Sequence, residues 1–333
     1  MRYKALALQT TCYAINMISD HAEAKNAIIN NIDRVHRQIQ SSKAFIGQDL
    51  KLIVLPEYFA TGFPMQETMK EWQDKACIST KDEIFEKICS LAIVNDIFLS
   101  GNFYENDPKF PEFYFQSSFI IDPKGELILL YRRLNSMFAI TPYDVLDRYL
   151  EINGEESLYP VVDTVLGKLA CIASEEILYP EIARCLMMRG AEVFLHHTSE
   201  VCSPLLTQKN IAKQARAFEN MAYVISANSA SIVGTNFPAS STDGGSKIIQ
   251  YEGLVMVDSG QGETMVANAT IDIDALRSHR SRPGMSNFIS RQRNELFAES
   301  YRKYHFYPAN SWNENFKKSD FIRIQKSIID RIN

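Results

Sequence analysis

The sequence predicts an α/β protein folded as a four-layer α-β-β-α sandwich, and three observations carry that expectation. Short apolar runs rich in Val, Ile, Leu and Phe alternate with longer helix-like stretches along most of the chain. Strand–helix–strand units open the chain, hairpin-like pairs follow near residues 97–131, and the alternation then resumes. The 333 residues contain no internal repeat, low-complexity tract or linker, so one domain is the simpler organisation. Two mixed sheets packed together, with helices on both outer faces, would bury strands of this kind.

In chain order, strands are expected at residues 3–9, 52–55, 97–101, 115–121, 127–131, 168–173, 193–196, 223–227, 247–251 and 263–273. Each is a short apolar run of strand rather than helix length. Helices are expected at 21–42, 81–95, 179–189, 206–220 and 287–304, where the pattern runs longer and polar residues interleave. Asp122-Pro-Lys-Gly125 and Tyr251-Glu-Gly253 have the composition of hairpin turns.

Composition excludes several function classes. The net charge is −5 and the basic residues are scattered, which gives no footprint for a nucleic acid. The densest late cluster, Arg277, Arg280 and Arg282 around His279, is too short for a phosphate-binding face and reads as a solvated face or an interface. Six cysteines lie far apart with no CxxC and no grouping with histidine, arguing against a zinc site and a disulfide scaffold. The N-terminus MRYKALALQTT lacks a long apolar run and a cleavage site, and no stretch approaches the ~20 apolar residues that span a bilayer. A reduced, cytoplasmic protein without metal, membrane or nucleic-acid partners is expected.

Chemistry is expected where strands end in loops. In LIVLPEYFATGF, Glu57 follows an apolar strand and a proline, where partial desolvation would raise its pKa and suit it to general-base work. A capping or loop glutamate is the plainer alternative. ILLYRRLNSMFAITPYD ends a strand in Arg132 and Arg133, a pair able to bind a carboxylate or an oxyanion, although surface ion pairs are commoner. In GKLACIASEEILYPEIARCLMMRGAEVFL a strand runs into Ser174 and a helix starts near Tyr179-Pro180-Glu181. Such a turn aims a side chain and backbone N–H groups at one point, as nucleophilic catalysis requires, though a serine there commonly serves as a cap.

Together and in this order, the segments resemble the nitrilase, or carbon–nitrogen hydrolase, superfamily. LPEYFATGF resembles the motif that carries the family's glutamate base, YRR the YRK-like motif with its lysine, and SEEILYPE the motif of its cysteine nucleophile. ARAFENMAYVISANSAS and GGSKIIQYEGLVMVDSGQGE extend the likeness, which runs from about residue 3 to about residue 275. YHFYPANSW is weakly similar to the C-terminal extension of aliphatic amidases. The resemblance implies a hydrolase-like domain over residues 1–284 and an extension over 285–333 that crosses between subunits of a homodimer or larger oligomer. It implies no cofactor.

The departures fall on the catalytic positions. Arg133 stands where the resemblance places lysine, Thr141 where it places a second glutamate, and Ser174 where it places cysteine; only Glu57 is the usual residue. A thiol ionises far more readily than a hydroxyl, so Ser174 needs strong activation. Arg133 keeps its charge but cannot shuttle a proton. Cys171 cannot substitute for the nucleophile, because three residues along a strand turns it to the opposite face, so it is expected in the core. Cys202 and Glu200 in HHTSEVCSP follow the next strand and could line the same pocket, as could Thr141 and Glu176, the latter positioning substrate or water. His196-His197 end that strand and one ring could reach the pocket, but two histidines without a third ligand are poor evidence for metal. Other serine-hydrolase patterns fit less well, since there is no GxSxG elbow.

Two functions remain open. In one, Ser174 attacks a small amide or related acyl compound, Glu57 takes its proton, and Arg133 with backbone N–H groups holds the oxyanion. In the other, the fold is retained as a catalytically silent protein that binds a small amide or carboxylate, or acts through its oligomeric surface.

Overall fold

The computed structural model describes residues 1–200 and 206–332. The first half of the chain forms β1 (Arg2–Ala7), β2 (Thr11–Tyr13), α1 (His21–Ile46), β3 (Leu50–Val54), α2 (Met69–Ala76), α3 (Glu83–Asn95), β4 (Phe98–Glu105), β5 (Phe115–Ile121), β6 (Leu127–Arg132) and α4 (Leu146–Asn153). The second half forms β7 (Val162–Thr164), β8 (Gly167–Ala173), α5 (Pro180–Met188), β9 (Val193–Thr198), α6 (Gln208–Asn220), β10 (Tyr223–Asn228) and β11 (Ser231–Val233). After these come β12 (Lys247–Ile249), β13 (Val255–Asp258), β14 (Asn268–Asp272), α7 (Ile273–Arg280), α8 (Asn294–Lys303) and α9 (Lys318–Ile332).

One six-stranded sheet has the order β14-β1-β3-β4-β5-β6 and a second the order β13-β12-β10-β9-β8-β7; β2 and β11 make a small pair of their own. Alternation along the strands builds the layers. Ala5, Leu52, Val54 and Ile120 of the first sheet meet Leu169, Cys171, Val193, Leu195 and Ile225 of the second in one buried cluster. The residues between them point outward: Leu6, Ile53, Leu99 and Phe119 pack on α1 and α3. Ala170, Ile172, Phe194 and Val224 pack on α5 and α6. The fold is therefore the α-β-β-α sandwich, with Cys171 fully buried in its central layer.

Local signals set the element ends. Asp20 caps α1 by accepting from Glu23 N, and Gly47 ends it at φ 117°, a conformation that favours glycine. Both expected hairpin turns form: Gly125 N donates to Asp122 O at 2.9 Å and Gly253 N to Gln250 O at 2.8 Å. The strand expected over 263–273 forms only over Asn268–Asp272, and at its end Asp272 accepts from Ala275 N and starts α7 at Ile273. The helix expected from 287 begins only at Asn294. The arginine cluster is structural in part: Arg280 donates to Met221 O and Ala191 O, and Arg277 pairs with Glu192.

A separate aromatic cluster joins Phe110, Phe113, Phe115 and Tyr149 to Phe321 of α9. Ahead of it, Trp312 N donates to Asp144 O at 3.0 Å and Ser311 Oγ to Asp144 Oδ1 at 2.6 Å. Trp312, Phe316 and Phe321 of the C-terminal extension thus pack on their own chain, while most of its other described residues are exposed. Among the described residues no helix is long and apolar enough to cross a membrane.

Candidate active site

β3 and β6 of one sheet and β8 and β9 of the other end at the same place. Glu57 follows β3, Arg133 follows β6, Ser174 follows β8, and Thr198 closes β9. The two sheets are tied here by Glu57 N, which donates to Thr198 O at 3.4 Å. Pro56 and the apolar run before it carry Glu57 into the interior, where it is only 1% exposed. That burial raises its carboxyl pKa, while Arg133, Lys209 and the hydroxyls of Ser174 and Tyr58 favour the ionised form and oppose the shift.

Ser174 has φ 48°, the left-handed region that a non-glycine residue occupies only when its surroundings enforce it. It opens a short 3-10 turn, Ser174–Leu178. His196 anchors that turn. Its Nε2 lies 2.8 Å from the Ser174 carbonyl oxygen and its Nδ1 2.8 Å from Ser226 Oγ. A carbonyl can only accept, so Nε2 carries the proton and Nδ1 accepts from Ser226. Burial drives the ring's pKa well below 6.5, so this neutral tautomer is the stable one. At the other end of the turn, Arg216 of α6 donates to Ile177 O and Leu178 O.

Arg132, which ends β6, and Arg133, which follows it, part company, as neighbours on a strand must. Arg132 turns to the aromatic cluster, paired with Glu105 and Asp107 at 2.5 Å each and lying 4.7 Å from the centre of the Phe115 ring. Arg133 turns into the site. It donates to Gln116 Oε1 at 2.6 Å, Glu175 Oε1 at 2.5 Å, Asn135 O at 2.5 Å and, more distantly, Glu57 Oε1 at 3.4 Å. Gln116 passes the link on, donating from Nε2 to Glu57 Oε1 at 2.5 Å.

The other expected site residues are engaged elsewhere. Thr141 donates its hydroxyl to Asp144 Oδ2 at 2.7 Å and caps the turn Pro142–Val145, so its hydrogen bonding is not directed to Glu57 or Ser174. Glu176 is wholly buried and accepts from Tyr131 Oη, Leu134 N, Asn135 N and Ala173 N. Four donors of the chain fill that carboxylate, so it positions the loop after Arg133 rather than a substrate. Glu200 pairs with Lys213 at 2.6 Å. His197 bonds Leu55 O and lies 3.0 Å from Ser100 Oγ, in the core. Cys202 lies outside the described residues.

Sequence reasoning missed three groups. Gln116 and Tyr58 touch Glu57, and Lys209 Nζ lies 3.4 Å from Ser174 Oγ and 3.3 Å from Thr198 Oγ1. A readable clue existed for Lys209: a lysine in the first turn of a helix opposes the helix dipole. Among the described residues no group of three or more His, Cys, Asp or Glu could hold a metal ion.

Residues 19–281 match the carbon-nitrogen hydrolase family. The chain belongs to that family. The chain is 26% identical over 272 residues to a formamidase of Bacillus thuringiensis (strain Al Hakam), covering 80% of this chain and 75% of that one. Its fold is that of a carbon-nitrogen hydrolase from Helicobacter pylori G27, with TM-score 0.69 at 17% identity over 92% of this chain and all of the other. An amidase of the nitrilase superfamily from Nesterenkonia AN1, in a variant form, aligns with TM-score 0.60 and 18% identity over 90% and 97% of the two chains.

Proposed function

We propose that this carbon-nitrogen hydrolase cleaves a small linear amide or related acyl compound, with Ser174 as the nucleophile. The observation that carries the reading is Ser174 itself. Its backbone is held at φ 48° at a strand end, and its hydroxyl stands beside the buried carboxylate of Glu57. Backbone strain of this kind concentrates where a side chain must be presented for chemistry. The formamidase name of a relative supports an amide as the substrate class.

Ser174 Oγ attacks the acyl carbon and gives its proton to Glu57. Arg133 is already bound to four acceptors, so its main effect is exerted through them: with Gln116 it orients the Glu57 carboxylate and stabilises its charge. Glu175, paired with Arg133, places a second carboxylate at the rim of the site.

A fluorophosphonate probe tests this without knowledge of the substrate. One adduct by intact mass, absent in Ser174→Ala, is expected, and Glu57→Gln should slow its formation by about 10²–10⁴-fold, the usual contribution of a general base. The competing reading, a silent binding protein, draws on the loss of the family residues at Arg133 and Thr141. An unlabelled, folded parent protein would favour it.

A further inference from the structure

An ammonium group stands at the Ser174 hydroxyl, and it comes from an element outside the strand-end motifs. Lys209 lies in the first turn of α6, half-buried, with its Nζ 3.4 Å from Ser174 Oγ and 3.3 Å from Thr198 Oγ1. That turn contains no acidic residue, and its free N–H groups already carry positive charge. Lys213, one helical turn on, adds another cation to the same face, paired with Glu200. Helix stability gives no reason to put a lysine at this place, and local rules are broken chiefly where a site requires it. Arg133, which stands at the end of β6, bonds Asn135, Gln116, Glu57 and Glu175 instead of Ser174. A guanidinium also holds its protons at any ordinary pH, whereas a primary ammonium can release one.

We propose that Lys209 is a catalytic residue, the proton carrier for the leaving nitrogen. The proposal rests on Ser174 being the nucleophile and supplies what that reading lacks. Ser174 Oγ bonds to the acyl carbon as its proton moves to Glu57. The C–N bond then breaks, and the departing nitrogen takes a proton from the Lys209 ammonium, leaving an acyl ester on Ser174 and a neutral Lys209 amine. Water adds to the ester and gives a proton to Lys209. The C–Oγ bond breaks, Glu57 returns its proton to Ser174, and the carboxylic acid leaves. Each proton taken is restored, and the sum is amide plus water giving acid plus amine.

Leaving groups separate this role from a structural one, because a nitrophenolate departs without a proton and an amine does not. The parent, Ser174→Ala, Lys209→Met and Lys209→Arg would be compared on p-nitrophenyl acetate and on formamide, acetamide and propionamide. Both Lys209 variants should be acetylated on Ser174 by the ester at a rate close to the parent's. They should then accumulate the acetyl-enzyme, seen by intact mass, because the attacking water has lost its base. Their amide turnover should fall by about 10²–10⁴-fold, the span of general acid–base catalysis. Amide turnover retained by Lys209→Met, or ester acylation and amide turnover falling together in both variants, would overturn the role of Lys209 alone. Failure of the parent to form any Ser174 adduct would overturn the nucleophile as well.

Discussion

Glu57 must be ionised to accept a proton, yet its surroundings exclude water almost completely. Burial raises its carboxyl pKa above the ordinary 4.5, and the cations nearby oppose that shift. The protonated form is inactive as a base, so reactivity rises with pH through the raised value. The acid limb of Ser174 labelling should therefore lie above pH 4.5 and disappear in Glu57→Gln; a limb at or below that pH would count against Glu57 as the base. Glu57, Arg133 and Ser174 were legible in the sequence because each directly follows an apolar strand, and strand ends gather at one edge of a sheet. Gln116 was not, since it lies inside β5 rather than at a strand end, and the one clue to Lys209 was its place in the first turn of α6, against the helix dipole. Thr141 and Glu176 differ from these. Spacing brought them to the expected neighbourhood, but hydrogen bonds with Asp144 and with the loop after Arg133 commit their side chains to structure.

At the scale of elements, α6 does most to hold the nucleophile turn. Arg216 grips one end of that turn and Lys209 meets the other, so the pose of α6 is transmitted to Ser174. The helix is locked by Lys213, which is buried against Glu200 at 2.6 Å. Lys213, with help from Lys209, holds the Glu200 carboxyl down at about 2. A depressed folded-state pKa contributes stability above the unfolded value, and that contribution is lost as pH falls through the folded value. Glu200→Gln, which leaves a buried ammonium without its partner, should lower the urea stability at pH 7 by about 3–5 kcal/mol. The gap between parent and variant should close as pH falls from about 4.5 toward 2, and a pH-independent gap would show that charge is not the cause. The strands and helices of the core were legible because period-two and helical patterns survive in them. Short pieces such as α2, α4 and β7 were not, because eight residues or fewer carry too little periodicity to stand out. Helix α9 was missed although Phe321, Ile324, Ile328 and Ile332 recur at helical spacing, and of its residues only Phe321 is buried on its own chain. That one residue closes the aromatic cluster, and Phe321→Ala should cost about 3–5 kcal/mol in a denaturant titration.

For the molecule as a whole, the surface of α8 cannot be explained by the single chain. None of its residues is buried, and Leu296, Phe297 and Tyr301 are 69%, 50% and 63% exposed. An isolated ten-residue helix is marginal in water, and packing of an apolar face is what ordinarily stabilises one. Among the described residues α8 meets α5 at its edge, where Tyr301 Oη donates to Glu181 Oε1 at 2.8 Å. Met188 of α5, whose sulfur accepts from Asn294 Nδ2, is also 50% exposed, so the apolar area continues beyond α8. We propose that a second copy of the chain, which brings an equally apolar surface by symmetry, covers this patch. Sedimentation velocity should accordingly find a species of at least twice 37.9 kDa. Phe297→Glu, which places charge in the patch and touches nothing buried, should shift that species toward the monomer while the fold persists by circular dichroism. A parent that sediments as a monomer at all accessible concentrations would leave α8 unexplained by self-association and would direct the search to a different protein partner. Because α8 is bonded to α5 through Tyr301 and Glu181, and α5 follows the Ser174 turn, dissociation should also slow the labelling of Ser174; unchanged labelling in the monomeric variant would show that each chain carries a self-sufficient site.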